Sequence, residues 1–446
     1  MKPARSLLLA ALVAVTGVLF AQTTPLPPKP TVPPKPVPTV PQTPMPPAPQ
    51  PNAQAWVLMD AATGQILTQS NMDQRRAPAS LTKIMTWYVV ASEIAAGKIH
   101  INDKVYISEH AWKMGGAGTD GSTSFLKLHS YVPLKDLLYG MIIQSGNDAA
   151  IALAEHVAGS EPAFAELMNA YAKRLGMTNT HFVNASGYPA DDHYSSAHDI
   201  AILARALITQ YPNLYAIAKI KTFEWNGIMQ YNRNPLLSSD PSVDGIKTGS
   251  TKEAGFCLAA SAVRNGMRLI AVDMGSPDMT QAASGDEALF NWGFNFYRTH
   301  SLYAAGQALA APRLWKGAAN TVQLGIEHAA AVTIPRGKYD ELKATLEIPQ
   351  TLIAPLKQGQ QVGNLNVTFD GKPLLTEPLV VLHDAPQGGF FKRLWDAILL
   401  WFHHGKGTTT TPAPTVSVAP LTPVTPPAAA SAPAAPPAPT SAATSN

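Results

Sequence analysis

A single cysteine, Cys257, in 446 residues means that this chain forms no intrachain disulfide. Within Gly-Phe-Cys-Leu-Ala-Ala it reads as a small buried hydrophobe on a strand. Charged residues make up only 14%, and lysine plus arginine exceed aspartate plus glutamate by three. Nothing in that balance points to a nucleic-acid partner. There is no Gly-x-Ser-x-Gly elbow, no His-Glu-x-x-His zinc helix and no Walker-type phosphate loop, which sets aside the chemistries those patterns carry. His193, His198 and Asp199 lie close together, but Ser195-Ser196-Ala-His198-Asp199 before an Ile/Leu/Ala run reads as a helix cap rather than a metal site. No metal and no cofactor is expected.

Proline, by contrast, is abundant and unevenly placed. Of 40 prolines, 24 fall in residues 24–51 and 408–446, stretches of Pro, Thr, Ala, Val and Ser that cannot bury a core. Residues 6–20 form an apolar run behind Met-Lys-Pro-Ala-Arg5 and before Ala21, the pattern of a secretory signal. The expected organisation is a signal peptide over 1–21, a Pro-rich disordered linker over 22–51, a larger domain over 52–299, a small all-β domain over 300–385, an amphipathic helix over 386–406 and a Pro/Ala-rich disordered tail over 407–446.

Three short motifs carry the chemistry. Ser80-Leu-Thr-Lys83 places a hydroxyl and an amine three residues apart, on one face of a helix if both sit in its first turn. Apolar residues Leu81, Ile84, Met85, Val89 and Ile94 recur at roughly helical spacing, Pro78 precedes them and Gly97 follows, predicting a helix over 80–96. A serine hydroxyl needs a neighbour to take its proton, and a lysine can do so only if its site depresses an ordinary pKa of about 10.4. Burial and a second cation both act in that direction. Lys247 is the candidate second cation. Ser145-Gly-Asn147 lies between apolar residues 137–143 and the alanine-rich 149–157, a tight turn between helices. Lys247-Thr-Gly-Ser250 precedes apolar residues 256–262, a strand leading to Arg268-Leu-Ile-Ala-Val272. Each pattern alone is weak: Ser124-Phe-Leu-Lys127 repeats the first in an ordinary stretch. All three in this order form a specific signal for acyl transfer.

That order resembles the low-molecular-mass penicillin-binding proteins of the D-alanyl-D-alanine carboxypeptidase family, whose motifs are S-x-x-K, S-x-N and K-T-G. The resemblance is carried by Ala79-Ser-Leu-Thr-Lys-Ile-Met-Thr86, Gln144-Ser-Gly-Asn-Asp-Ala149, Leu175-Gly-Met-Thr-Asn-Thr-His-Phe182 with Ser186-Gly187, and Val243-Asp-Gly-Ile-Lys-Thr-Gly249. It implies an α+β fold: a β-lactamase/penicillin-binding-like catalytic domain of helices and an antiparallel sheet, then a small all-β domain. Residues 55–60 and 64–67 read as the first hairpin of the sheet and 256–272 as its inner strands. Residues 329–334, 342–348, 362–369 and 373–382 are short β-rich runs, the last two joined at Asp370-Gly371, a hairpin signal.

For mechanism the resemblance implies that Ser80 attacks a peptidoglycan stem peptide, with Lys83 as base. Ser145 then relays a proton to the leaving nitrogen, Lys247 polarises that hydroxyl and Asn147 orients substrate and Lys83. Thr248, Gly249, Ser250 and Arg233 bind substrate, and the backbone N–H groups of Ser80 and Ser250 form the oxyanion hole. Arg233 is otherwise a surface-loop arginine. β-Lactam antibiotics are the implied acylating inhibitors. Many relatives carry His where this chain has Ser250, so substrate preference and deacylation stay open. D,D-endopeptidase or weak β-lactamase activity, and a non-catalytic cell-wall-binding role, are the alternatives. Glu161 and Glu166 superficially resemble the glutamate of class A β-lactamases but sit in an ordinary amphipathic helix pattern with Phe164, Leu167 and Met168. Gly115, Gly116, Gly118 and Gly121 crowd a loop that either borders the site or is mobile surface.

Residues 390–404 gather Lys392, Asp396 and His403 on one side and Phe391, Leu394, Trp395, Ile398, Trp401 and Phe402 on the other. The stretch is shorter than the about 20 residues that cross a bilayer. It reads as an in-plane membrane anchor, or else as a helix packed on the β domain. The expected location is the periplasm, peripherally on the outer leaflet of the bacterial inner membrane.

Overall fold

The computed structural model describes residues 45–117, 119–404 and 415–417. The expected signal peptide and most of the Pro-rich linker and tail lie outside them. The centre is an antiparallel sheet of β1 (Ala55–Asp60), β2 (Ile66–Ser70), β3 (Val243–Thr251), β4 (Gly255–Arg264) and β5 (Met267–Ser276), ordered β2-β1-β5-β4-β3. Helices α1 (Thr82–Ala95), α2 (Asn147–Ala158), α3 (Glu161–Leu175) and α4 (Ala197–Gln210) form the cluster on one face, and α5 (Met279–Phe296) covers the other.

Alternation along the strands assigns the two faces. Val57, Met59, Ala259, Ile270 and Val272 pack with the helical cluster, while Trp56, Leu58, Leu258, Leu269 and Ala271 pack with Leu289 and Phe290 of α5. A sheet covered on both sides needs apolar residues at successive positions, which is why β4 and β5 read as continuous apolar runs. Leu58 is fully buried, so its truncation to alanine carries a cost of about 2–5 kcal/mol.

Ser80 lies in a 3-10 turn, Ala79–Leu81, and α1 begins at Thr82 rather than at Ser80. Tight turns of this kind are frequent at helix ends, and Ala79, with φ of +48°, bends the chain into this one. The edge strand β3 is braced against α1 through side chains: Trp87 stacks on Tyr215 at 6.0 Å, the Tyr215 hydroxyl donates to Asp244 at 2.8 Å, and Arg268 grips Asp244 at 2.9 and 2.7 Å. Such planar two-point pairs fix geometry as well as charge.

The chain's proline-rich stretch reaches the protein before residue 51. Trp292 donates to the Pro46 carbonyl at 3.1 Å and Asn52 to Gln281 at 2.5 Å, so residues 46–52 lie along α5. Past α5, strands Tyr297–Tyr303 and Ala330–Pro335 pair, and a second sheet contains the hairpin Gln361–Phe369 and Lys372–Val381. Its turn residues Asp370 and Gly371 both have positive φ, 48° and 73°, as a two-residue hairpin loop requires. Leu324, Leu346, Leu365, Val367, Leu379 and Val381 give this β unit its own core. Thr299 donates to buried Asp60 at 2.6 Å at its junction with the larger sheet.

Helix α6 (Phe390–His404) packs on the β unit by its polar side. Asp396, only 5% exposed, accepts from the Lys316 N–H at 2.7 Å and meets Arg313 at 3.3 Å, with Leu400 buried beside it. Phe391, Trp395 and Trp401 on the other side are 83%, 64% and 73% exposed. Of the tail, residues Thr415–Ser417 pair with strand Leu342–Glu347. Among the described residues no helix is long and apolar enough to cross a membrane.

Candidate active site

All three motifs meet at the rim of β3. The turn holding Ser80 packs against β3 so closely that a Cβ on Gly249 would lie 2.9 Å from the Ser80 nitrogen and 3.2 Å from that of Leu81. Glycine at 249 therefore keeps the Ser80 N–H uncovered. Lys83, 1% exposed, lies 3.0 Å from Ser80 Oγ. It donates to Asn147 Oδ1 at 2.7 Å and to the Ser186 carbonyl at 2.6 Å. Lys247, 3% exposed, donates to Ser145 Oγ at 2.9 Å and to the Thr248 carbonyl at 2.9 Å.

This geometry distinguishes the two states of Lys83. A neutral amine has two hydrogens and one lone pair. Asn147 and Ser186 offer only acceptors and take the two hydrogens, so the lone pair is left facing the Ser80 hydroxyl. Burial, and then the charge of Arg233, lower the Lys83 pKa to about 7, with Asp148 and Glu161 opposing. Burial also lowers Lys247 well below its ordinary value, followed by repulsion from Lys83 and Arg233. Neither lysine has a carboxylate in salt-bridge contact among the described residues. The site is thus electropositive and unsaturated, suited to an entering anion.

A cleft of about 450 Å³ opens in front of these groups, lined by Ser80, Gly121, Asn147, Arg233 and Ser250 among others. Lys83, Lys247, Ser145 and Thr248 lie buried behind it. Arg233 sits in the loop after strand Ile228–Tyr231, and Asn234 ties that loop to β3 by donating to the Gly245 carbonyl at 2.9 Å. The glycine-rich loop is one wall: a Cβ on Gly121 would lie 2.4 Å from Asn147 Nδ2, and one on Gly115 would lie 2.2 Å from Asp148 Cβ. It borders the site. A larger hollow of about 590 Å³, holding Arg75, Arg76, Asp191 and Asp192, adjoins at Pro189 and Glu253 but contains no motif residue.

Ser145 adopts φ of +69° at the end of the Gly140–Gln144 turn, and α2 starts at Asn147. Three parts of the site lie outside the three short motifs. Asp148 is buried and accepts from the N–H groups of Ser124, Leu126 and Ala149, anchoring the loop. Desolvation raises its pKa against those hydrogen bonds. An acidic residue in the first turn of a helix was the available clue. The Ser186 carbonyl and Asn234 are the other two: Ser186 lies in a stretch that carried the resemblance, but a backbone carbonyl leaves no mark of its role on the sequence.

The remaining candidates are peripheral. Ser124 and Lys127 diverge, the serine buried and the lysine exposed. His193 is buried against Thr82 at 2.9 Å, and its burial lowers its pKa to about 4. Ser196 caps α4 by accepting from the Asp199 N–H at 3.1 Å. No group of metal-ligating side chains occurs among the described residues. Cys257 is fully buried, and burial pushes its thiol up to about 12. It is inert.

A family model described as D-alanyl-D-alanine carboxypeptidase matches residues 41–278. The chain belongs to the D-alanyl-D-alanine carboxypeptidase family. A second model, described as the C-terminal domain of penicillin-binding protein 5, matches residues 297–387. The D-alanyl-D-alanine carboxypeptidase DacC of Escherichia coli K12 is 46% identical over 361 residues, 80% of this chain and 90% of that protein. Penicillin binding protein 5 from Haemophilus influenzae has a similar structure, with a TM-score of 0.73 at 43% identity over 76% of this chain and 99% of the other. Penicillin binding protein 6B from Escherichia coli follows with a TM-score of 0.63 at 37% identity, over 77% and 99%. In this family's setting the pairing of Ser80 with a buried lysine is the arrangement a serine peptidase needs.

Proposed function

We propose that this protein is a serine-type D-alanyl-D-alanine carboxypeptidase that removes the terminal D-alanine from peptidoglycan pentapeptide stems through an acyl-enzyme on Ser80, and that β-lactam antibiotics acylate the same oxygen. The reading rests on one observation above all: the lone pair of a neutral Lys83 has nowhere to point but the Ser80 hydroxyl, 3.0 Å away.

In this mechanism Lys83 takes the Ser80 proton as Oγ bonds to the carbonyl carbon of the penultimate D-alanine. The oxyanion that develops is met by the backbone N–H groups of Ser80 and Ser250, each such donor stabilising it by about 3–4 kcal/mol. Ser145, held by Lys247 at 2.9 Å, passes its hydroxyl proton to the departing nitrogen as the C–N bond breaks and D-alanine leaves, and it takes in return the proton that Lys83 received, which leaves Lys83 neutral again. Water then attacks the ester carbonyl, neutral Lys83 accepts its proton and returns it to Oγ as the C–Oγ bond breaks, and Ser80 and the shortened peptide acid are released. Arg233, with Thr248 and Ser250, receives the terminal carboxylate of the substrate, for which a guanidinium is the best-matched cation. That carboxylate also offsets the mutual repulsion of Lys83, Lys247 and Arg233. Asn147 holds Lys83 and the substrate amide.

We infer further that the protein is exported by residues 1–21 to the periplasm and that α6 anchors it peripherally on the membrane surface. The exposed Phe391, Trp395 and Trp401, opposite a polar face already engaged by the β unit, support an interfacial seat. Intact-mass measurement after incubation with penicillin tests the enzyme: one covalent adduct per chain is expected, absent from Ser80→Ala, together with D-alanine release from a pentapeptide. A wild-type chain that takes no adduct would refute it.

A further inference from the structure

Glu161 is nine-tenths buried at the first turn of α3, although Ser160 already caps that helix by accepting from the Ala163 N–H at 3.3 Å. A buried carboxylate is costly unless its oxygens are satisfied, and both are. Oε1 accepts from the Ala185 N–H at 3.0 Å, and Oε2 meets His110 Nε2 at 2.8 Å. Thr86 of α1 donates to the Ala185 carbonyl at 2.6 Å. The residue just before Ser186 is therefore gripped at both of its backbone polar groups, by α3 on one side and α1 on the other.

The turn that follows has little freedom left. Asn184 Oδ1 accepts from the N–H of Ser186 at 3.2 Å and of Gly187 at 2.7 Å. Gly187, φ +81°, passes so close to the Ser80 turn that a Cβ there would lie 1.8 Å from the Ala79 carbonyl oxygen. Rotation at residue 185 would swing the Ser186 carbonyl away from Lys83.

We propose that Glu161 is a positioning residue for proton transfer at Lys83: its carboxylate fixes the 184–187 turn whose Ser186 carbonyl takes one hydrogen of the neutral amine, and His110 clamps that carboxylate from the far side. This rests on the reading of Lys83 as the base. Glu161 touches no substrate. Its negative charge also acts at a distance. Lys83 is faced by the cations Arg233 and Lys247 and by the carboxylates Asp148 and Glu161, while Glu161 itself is faced by His110. Removing the Glu161 charge thus favours the neutral amine.

The test compares the pH dependence of acylation by a fluorescent penicillin in wild type, Glu161→Gln and Glu161→Ala, beside Ser80→Ala. Glutamine keeps an acceptor for the Ala185 N–H but no charge, so its plateau rate stays within about threefold of wild type and the acid limb moves to lower pH. Alanine leaves the turn unheld, and the plateau falls at least about tenfold, as small misplacements at a reacting pair do. A Glu161→Gln profile superimposable on wild type, or one shifted to higher pH, overturns the proposal even if Glu161→Ala does not fold. An alanine variant with wild-type rate and limb overturns it too. Labelling of wild type but not Ser80→Ala upholds the enzyme reading whichever way Glu161 falls.

Discussion

Substituting Gly249 by alanine probes the proposed oxyanion hole without touching the nucleophile or either lysine. The new methyl would stand 2.9 Å from the Ser80 nitrogen, 3.2 Å from the Leu81 nitrogen and 3.2 Å from the Ala79 Cβ. Two of these neighbours are backbone, so relief comes only if β3 and the Ser80 turn part by several tenths of an ångström. The Ser80 and Ser250 N–H groups sit on opposite sides of that seam, and an oxyanion needs both within about 2.7–3.1 Å. Losing one donor is worth about 2.7–4 kcal/mol, or a factor of about 10²–10³. The second-order rate of acylation by a fluorescent penicillin should fall by that factor. Ser250→Ala keeps its backbone N–H and loses only the hydroxyl offered to the carboxylate beside Arg233 and Thr248, so its rate should fall by less than that of Gly249→Ala. Thermal unfolding read in parallel shows that Gly249→Ala is folded. A folded Gly249→Ala protein acylated within about threefold of the wild-type rate would refute the reasoning.

Two further outcomes follow from other parts of the molecule. Asp286 of α5 is fully buried, and among the described residues neither of its carboxylate oxygens has a hydrogen-bond partner; Asp273 of β5 faces it, its own Oδ2 likewise unpartnered among them. Burial and then Asp273 push Asp286 well above the ordinary carboxylate range, and burial pushes Asp273 up to about 7. Acids whose folded pKa is raised lose stability as pH climbs from the unfolded value, about 3.9, through the folded one. Asp286→Asn should therefore raise the unfolding temperature by about 2–4 °C per kcal/mol gained at pH 8 and by less at pH 5; an equal or negative change at both would contradict the assignment. Deleting residues 390–404 should abolish sedimentation with anionic vesicles while leaving acylation by penicillin intact, and undiminished vesicle binding by that truncation would argue against the anchor.

The grouping of the candidate site residues was legible because their side chains come in fixed sequence relations. Ser80 and Lys83 are one turn apart, Ser145 and Asn147 flank a glycine between two helices, and Lys247 to Ser250 lie on one strand. The sheet order puts β3 at an edge, and the Ser80 turn packs against it at Gly249. What was hidden acts through the main chain or through a choice of face. The Ser186 carbonyl that directs Lys83 is a backbone group any residue could supply, and Glu161 holds it by a bond to another backbone group. The sheet's covering on both faces was not foreseen either, although the unbroken apolar texture of β4 and β5 was its trace. In α6 the periodicity fixed two faces but not their orientation: the minority polar side, through Asp396, turned out to be the one docked on the protein. The helix beginning at Thr82 rather than Ser80 reflects the tight turn set by Ala79, which no propensity encodes.

The central claim is that a neutral Lys83 takes the Ser80 proton, and the pH dependence of the acylation rate measures it most directly. With the Lys83 pKa lowered to about 7 by burial and by Arg233, the rate should fall about tenfold for each pH unit below that point and level off above it. A rate that stays flat from pH 5 to 8, or an acid limb near the ordinary lysine value of about 10.4, would contradict it.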